Sequence, residues 1–258
     1  MSTPAKTPRP QSSRGGETGA ETPKRRVGRP RTSVLSRQLI LETGLRLIVE
    51  HGAHSVGMRA IASELGVRPS ALYNHVAGQA ELIAGVRELI SDRIATDMFV
   101  DEPWDVALAG WARHYRDTFA AHPPTIALLA VLPLTPDSVT SLMYETVISA
   151  LVRAGWPGDR ALTLMVSLES FILGSALDLA ATDEMLDPGP RSDVPAFSAA
   201  YLRREAALAA TGTSTADAAF EFGLRAILAG YRAEYAALGL TQRPAPVTPE
   251  TAAGAGAE

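Results

Sequence analysis

Apolar residues recur every three or four positions along most of the chain, the spacing that places them on one face of an α-helix. In the first such segment, residues 33–51, the side chains of Leu41, Leu45 and Ile48 share a face, and Gly52 follows as a helix-ending glycine. Alternating β-branched runs bounded by turns, which are typical of strands, do not occur in the sequence. The pattern therefore predicts an all-α protein.

Glycine and proline residues divide this pattern into separate helices. The predicted helices lie at about residues 33–51, 58–65, 69–75, 79–98, 104–121, 137–154, 158–182, 197–211 and 214–238, with a short apolar segment ending at Leu132 and a loop over 183–195. The second and third helices are each about two turns long and nearly contiguous. Because so short a helix is not stable alone in water, these two must support each other and pack on a neighbour.

Residues 58–76 are therefore predicted to form a helix-turn-helix, whose second helix enters the major groove of DNA. The expected apolar contacts come from Ile61, Ala62 and Leu65 on one helix and Val67, Leu72 and Val76 on the other, with Tyr73 partly buried. Small or polar residues occupy the opposite face of the second helix: Pro69, Ser70, Ala71 and Asn74. Ala71 suits a thymine methyl group, Ser70 a base edge, and Arg59 a guanine or a phosphate. On this pattern alone, an ordinary helical hairpin with solvated polar residues remains an alternative.

The two ends of the chain differ from the rest in composition. Residues 1–32 and 241–258 are rich in Pro, Ser, Thr, Gly and Ala and poor in large apolar residues, so both are predicted to be disordered. Residues 1–37 contain nine Lys or Arg and two acidic residues, a net charge of +7, so the rest of this −4 chain carries −11. A basic arm on an acidic body favours a polyanion as partner, although a solubilising tail has the same composition.

Several classes of protein are disfavoured by what the sequence lacks. It has no cysteine, which excludes disulfides, thiolate zinc sites and cysteine nucleophiles and fits a reducing compartment. The N-terminus has no apolar signal region, and the apolar stretch 161–181 is interrupted by Glu169 and Asp178. Phosphate-binding glycine loops, zinc spacings and nucleophile elbows are not found. We expect a cytoplasmic protein that is not an enzyme and has no metal, cofactor or membrane partner.

A dense set of residues between 33 and 93 narrows the interpretation. The set consists of Ile40, Leu47, Gly52, Arg59, Ile61, Ala62, Leu65, Gly66, Val67, Leu72, Tyr73, His75, Val76 and Leu82, with the basic stretch 28–31 just upstream. In these residues the chain resembles the N-terminal domain of the TetR family of transcriptional regulators. The resemblance implies that Arg59, Ser70 and Ala71 read bases, whereas Tyr73 and His75 contact phosphates.

Two positions depart from the family pattern. Arg68 stands where a Ser or Thr usually caps the third helix, so a cap is lost and a cation is gained beside the phosphates. Gln79 stands where a Lys usually meets a phosphate at the start of the fourth helix, so a weaker contact is expected there.

The basic arm suggests a second DNA contact. Arg29 and Arg31, on either side of Pro30 and after Gly28, resemble the core of the AT-hooks that follow the minor groove of A·T-rich DNA. Non-specific attraction to phosphates explains the same residues equally well. Both alternatives predict that DNA binding weakens steeply with salt.

The C-terminal body resembles the corresponding domain of the tetracycline repressor subfamily in the stretches 104–123, 169–178 and 220–230. The resemblance implies dimerisation and ligand binding, and the helices at 158–182 and 214–238 are expected to pair with their copies in a four-helix bundle. By alignment, the subfamily's metal-binding histidine falls at Leu129 and a nearby glutamine contact at Val147. We therefore expect an apolar, metal-free cavity and an inducer other than magnesium–tetracycline.

The residues expected to line this cavity are Trp111, His114, Tyr115, Leu129, Met143, Val147, Met165, Glu169, Ser170 and Asp178. Trp111 and Tyr115 are the favoured pair, since each combines a flat apolar face with a polar group. Glu169 and Asp178 are acids on an otherwise apolar helix. They are expected either to meet an amine or hydroxyl of a ligand or to pair with arginine at the dimer interface.

Together these features predict a homodimeric, ligand-responsive repressor of a palindromic double-stranded DNA operator, released by a small apolar or amphipathic inducer. Its domains would be a basic arm (1–32), a three-helix DNA-binding domain (33–98), a helical ligand-binding and dimerisation domain (99–240) and a tail (241–258). An activator or a ligand-independent regulator of the same fold is the alternative. A helical interaction protein or enzyme that has lost DNA binding is a further one, which Arg59, Tyr73 and His75 disfavour.

Overall fold

The computed structural model describes residues 35–52, 56–129, 132–135 and 138–241. The predictions made for the basic arm, including Arg29 and Arg31, and for the tail beyond residue 241 fall outside these ranges. Within them every regular element is helical. The α-helices are α1 (Arg37–His51), α2 (Met58–Glu64), α3 (Pro69–Leu72), α4 (Gln79–Ser91), α5 (Met98–Asp101), α6 (Trp104–Ala120), α7 (Pro123–Leu129), α8 (Val139–Arg153), α9 (Gly158–Asp178), α10 (Pro195–Thr211) and α11 (Thr215–Ala237), and Asp183–Leu186 form a 3₁₀-helix. The predicted all-α class is confirmed.

Helix α1 has well-formed caps and packs tightly on α4. The hydroxyl of Ser36 accepts a hydrogen bond from the backbone N–H of Leu39 (3.2 Å), and Gly52 ends the helix at a φ of 84°. Along the contact with α4, a side chain at Gly85 would place its Cβ 2.6 Å from a methyl group of Leu41. The glycine thus lets α1 approach the α4 backbone, which fixes α4 beside the N-terminal helices.

Several predicted helix ends were wrong. The fourth helix ends at Ser91 rather than near 98, because the chain turns there and buries Ile94. Residues after this turn form the separate short helix α5. The third helix is a single turn ending at Leu72, and the N–H of His75 then bonds to the Leu72 carbonyl (2.9 Å) in a tightened turn.

Proline has two roles after α6. Helix α6 ends before the predicted stop at 122–124, but Pro123 also begins α7, because the first turn of a helix needs no N–H from that position. Helix α9 ends at Asp178, four residues before the predicted end at 182.

The core of the C-terminal region lies where α6 and α9 pack face to face, with α8 and α11 alongside. Trp111, Leu168 and Ile172 are fully buried there. Among the described helices, α9 is the one whose length and apolar composition would also suit a bilayer. In this structure one side of α9 is instead covered by α6 and α8.

Candidate nucleic-acid interface and internal cavity

The turn between α2 and α3 is fixed by backbone hydrogen bonds. The N–H of Val67 bonds to the carbonyl of Ala62 (2.9 Å), and the N–H of Gly66 bonds to that of Ser63 (3.2 Å). Gly66 has a φ of 64°, the left-handed conformation that this Schellman pattern requires and that glycine adopts without strain. The turn therefore sets the angle between the two helices.

The predicted apolar contacts of this motif are present. Leu72 and Val76 are buried, as are Ile61 and Ala62 on the preceding helix, and Val67 packs against the same cluster. A one-turn helix is thus held in place by tertiary packing, since it is too short to be stable alone.

The opposite face of α3 and the start of α2 are open to solvent. The residues exposed there are Arg59, Arg68, Pro69, Ser70, Tyr73 and Asn74, while Ala71 and His75 are half-buried. Tyr73 was expected to be partly buried, but it is 54% exposed, because it follows the last helical residue and points away from Leu72 and its apolar neighbours. The predicted base-reading and phosphate-contacting residues of α2 and α3 are thus exposed or half-buried, and their roles on DNA stay predictions.

Gln79 is engaged in a contact that the sequence did not reveal. Its Nε2 donates a hydrogen bond to the carbonyl of Val56 (3.0 Å), which ties the start of α4 to the start of α2. Beside it, Glu81 accepts a hydrogen bond from the N–H of Ala77 (2.7 Å). A phosphate at this helix end would meet a carboxylate, so the geometry favours a structural role for Gln79. The predicted phosphate contact remains untested.

A cavity of about 330 Å³ lies among α4, α6, α7, α8 and α9. It is lined by Arg87, Ser91, Tyr115, Phe119, Ile126, Leu129, Leu132, Leu134, Thr140, Tyr144, Val166, Glu169, Ser170 and Leu173. Its volume is in the range of small-molecule sites. Four of the predicted lining residues face it: Tyr115, Leu129, Glu169 and Ser170.

The other six predicted lining residues lie elsewhere. Trp111, Met143, Val147 and Met165 are buried in the packed core, because their faces of α6, α8 and α9 meet neighbouring helices. The exposed His114 accepts a hydrogen bond at Nδ1 from the N–H of Ala95 (3.2 Å). Asp178 borders a separate pocket beside residues 179–186 and the start of α11.

The predicted apolar character of the cavity was wrong, and Arg87 is one reason. Its guanidinium is almost fully buried and donates to the carbonyls of Leu132 (2.8 Å) and Pro133 (2.9 Å). The carboxylate of Glu88 lies 3.6 Å from its Nε. The sequence held a signal for this, because Arg87 follows Ile83 by one turn on the apolar stripe of α4.

A carboxylate bound by two tyrosines forms the second polar feature. The hydroxyls of Tyr115 on α6 and Tyr144 on α8 both donate to Oε1 of Glu169 on α9. Burial, followed by the charge of Glu169, raises the pKa of Tyr115 well above its usual value, and the same causes raise the pKa of Tyr144. Both hydroxyls therefore remain protonated donors at neutral pH.

Hydrogen bonds also join α4 to the start of α8. Glu88 accepts from the hydroxyl of Ser138 (2.7 Å) and from the N–H of Thr140 (3.2 Å). The hydroxyl of Thr140 in turn donates to that of Ser91 (2.9 Å). The C-terminal half of α4 is thus part of the cavity wall, while its N-terminal half packs on α1. In the described parts of the chain, no three His, Asp or Glu side chains are grouped to hold a metal ion.

Comparison with known proteins places both regions in one family. Residues 40–86 match the bacterial regulatory proteins of the tetR family, and residues 100–235 match the tetracyclin repressor-like C-terminal domain. The class G tetracycline repressor of Vibrio anguillarum is 28% identical over 204 residues, covering 76% of this chain and 93% of the relative. The class C protein of Escherichia coli is 24% identical over 200 residues, covering 76% and 90%.

Solved structures agree with these matches. A possible TetR family regulator from Streptomyces coelicolor A3(2) superposes with a TM-score of 0.59 at 28% identity, covering 77% of this chain and all of that one. Apo ActR from Streptomyces coelicolor has the same fold, with a TM-score of 0.61 at 24% identity over 79% of this chain and 98% of its own. The chain therefore belongs to the TetR family of bacterial transcriptional regulators, with a tetracycline repressor-like C-terminal domain.

Proposed function

We propose that the protein is a homodimeric repressor that binds a palindromic operator and is released when a small molecule fills the cavity. The observation that carries the proposal is the position of α4. Its 13 residues span about 20 Å. One end adjoins the helix-turn-helix through Gln79, and the other supplies Arg87 and Ser91 to the cavity wall.

The exposed face around α3 supports the DNA-binding step. Arg59, Arg68 and Asn74 make no side-chain hydrogen bond within the described part of the chain, so their donors are available to DNA. Base edges would be read by Arg59, Ser70 and Ala71, and phosphates would be bound by Arg68, Tyr73 and His75. The protein would act in the compartment that holds its DNA.

An apolar surface on α9 and α11 supports the homodimer. On α9 it includes the exposed side chains of Leu162, Val166 and Leu177. On α11 it begins at Phe222, which is 69% exposed, and continues through the exposed small residues Ala226, Ala229, Gly230 and Ala233. Small residues permit close helix approach, so the two helices and their copies can form a four-helix bundle around a two-fold axis.

Release from DNA on ligand binding would follow from contacts between the ligand and α4. A molecule in the cavity touches Arg87 and Ser91 directly, and it also lies against Thr140, which is hydrogen-bonded to Ser91. Movement of α4 would change the spacing of the two reading helices, which must match the DNA repeat. By linkage, operator binding must weaken ligand binding by the same factor. The relatives named as repressors support repression.

Selection of bound sequences from random duplex DNA, at about physiological salt, tests the DNA-binding part. We expect a palindrome whose half-sites lie about one helical turn apart or a multiple of it. Recovery of only A·T-rich DNA without symmetry would mean that the basic arm binds DNA, and it would contradict the role given to α3.

Analytical ultracentrifugation of Phe222→Glu tests the dimer. A carboxylate in the apolar surface should give a monomer and lower operator affinity on the order of 100-fold, because the two half-sites no longer act together. Leu142→Glu is the matched control, since Leu142 is 68% exposed but lies on α8, away from this surface. A dimeric Phe222→Glu protein would rule out the α9–α11 interface.

A further inference from the structure

The carboxylate of Glu169 has one oxygen in use and one available. Both tyrosine hydroxyls donate to Oε1, and Oε2 accepts no hydrogen bond from any residue that the structure describes. The side chain is half-buried and lines the cavity. A ligand in the cavity can therefore reach a carboxylate oxygen that two fixed donors hold in place.

The charges in the cavity wall do not cancel. The other charged side chain in the wall is Arg87. Its Nη1 and Nη2 donate to two backbone carbonyls, and its Nε lies 3.6 Å from a carboxylate oxygen of Glu88 without a hydrogen bond. No Lys, Arg or His nitrogen of a described residue lies within 4.0 Å of Glu169. The charges of Arg87 and Glu88 cancel, so the negative charge of Glu169 has no positive charge opposite it. Enclosing that charge under a neutral ligand would be costly.

The surroundings of Glu169 suit an amphipathic molecule. The rings of Tyr115 and Phe119 lie 5.1 Å apart between centroids, and both border the cavity. Aromatic faces attract organic cations, most strongly where water is excluded. Ile126, Leu129 and Leu173 form an apolar wall in the same cavity.

We infer that the ligand class of this cavity is an amphipathic organic cation. Its protonated amine would donate to Oε2 of Glu169, and its apolar or aromatic body would lie against Phe119 and Leu129. The inference rests on the proposed function in one respect, namely that this cavity is the effector site. It adds the charge of the ligand, which the family match leaves open.

Isothermal titration calorimetry on the full chain without DNA tests this with three probes of one shape. The probes are 2-(1-naphthyl)ethylamine, 2-(1-naphthyl)ethanol and 1-naphthaleneacetate, which are cationic, neutral and anionic, respectively, at pH 7. A hydrogen bond to a charged group contributes about 1.5–3 kcal/mol, so the amine should bind about tenfold or more tightly than the alcohol. The acetate should bind most weakly.

Two variants of α9 assign the effect to Glu169. Glu169→Gln keeps the size of the side chain and removes its charge, so the amine and the alcohol should then bind within about twofold of each other. Asp178→Asn removes an acid from the same helix but outside this cavity, and it should leave the preference unchanged. If Glu169→Gln does not fold, Glu169→Ala serves instead: it removes the carboxylate, so the amine and the alcohol should again bind within about twofold of each other.

Three results would overturn the inference: equal or tighter binding of the alcohol or the acetate, no binding of the amine at millimolar concentration, or an amine preference that survives Glu169→Gln. Because no DNA is present, these results leave operator selection and dimerisation untouched. A failed operator selection accompanied by the expected amine preference would contradict the regulator and leave the ligand class standing.

Discussion

The helix-turn-helix and the cavity use polar side chains in opposite ways. Around α3, polar residues such as Arg59 and Asn74 point outward, where water satisfies them until a partner replaces it. In the cavity, Arg87 is held by carbonyls of the segment 132–135, and Glu169 is held by hydroxyls from two neighbouring helices. Polar side chains at the surface can therefore stay without a protein partner until DNA binds. Those in the cavity need hydrogen-bond partners in the folded protein, since an unpaired buried polar group is costly.

The largest expected effect compares the packing of the two regions. Leu72→Ala should lower the free energy of unfolding by about 3–4 kcal/mol, because Leu72 is fully buried and its loss leaves a new void. Leu129→Ala should cost only about 2 kcal/mol, because Leu129 already borders an existing cavity. Urea unfolding at fixed protein concentration measures both. Equal losses would mean that the cavity wall is as tightly packed as the helix-turn-helix.

This difference in packing also explains what the sequence could predict. The helix-turn-helix was predicted because α2 and α3 are adjacent in the chain, so a local pattern contains both the packed face and the exposed face. The cavity combines five helices between α4 and α9, and periodicity does not tell which apolar face of α6 meets which neighbour. Trp111 was therefore placed in the cavity, although its ring is fully buried against Phe99 and Tyr115.

Some predicted helix ends were wrong for a related reason. The break between α4 and α5 contains neither glycine nor proline, and it exists because Ile94 turns into the core and His114 receives the N–H of Ala95. Conversely, the glycine and proline signals at Gly52, Gly66 and Pro69 act within the backbone and were predicted correctly. Breaks caused by tertiary contacts leave no local signal of that kind.

A second comparison separates two arginines of the DNA-binding surface. Arg59→Ala should cost about 1–3 kcal/mol of operator binding and relax the base preference at one position of each half-site. Arg68→Ala should weaken binding to all sequences alike and reduce the slope of log affinity against log salt by about 1 for each subunit. Repeating the sequence selection and the salt titration with each variant measures both effects. Unchanged operator affinity in Arg59→Ala would remove its base-reading role.

A substitution at Gln79 tests whether its side chain has a structural role at the start of α4 or binds a DNA phosphate. Gln79→Ala removes the hydrogen bond to the Val56 carbonyl and should lower the free energy of unfolding by about 1 kcal/mol. Operator affinity should change less than about threefold, since the side chain is already engaged. A tenfold loss of affinity at unchanged stability would instead establish the phosphate contact that the family pattern implies.

The smallest expected effect concerns two ion pairs between α6 and α11, whose acids are about half exposed although the guanidinium of Arg116 is buried. A hydrogen bond from Arg116 lowers the pKa of Asp217, and a hydrogen bond from Arg113 lowers the pKa of Glu221. Both pairs join α6 to α11. A carboxyl group with a lowered pKa in the folded state stabilises the fold above its unfolded pKa, and this contribution is lost as the pH falls through the folded value.

Stability should therefore decline as the pH falls below about 4.5, the ordinary value for Glu. Both acids are about half exposed, so each pair contributes at most about 1 kcal/mol. Urea unfolding at several pH values between 6 and 3.5 gives the free energy of unfolding as a function of pH. This curve should be flatter for the double variant Asp217→Asn, Glu221→Gln than for the wild type. Asp193→Asn is the matched control: its partner Arg191 is two residues away, so the pair can also form in the unfolded chain and the curve should not change. If the double variant's curve runs parallel to that of the wild type, these two pairs do not hold α11 on α6, which leaves the apolar contacts around Phe220 and the ion pair between Arg232 and Asp105.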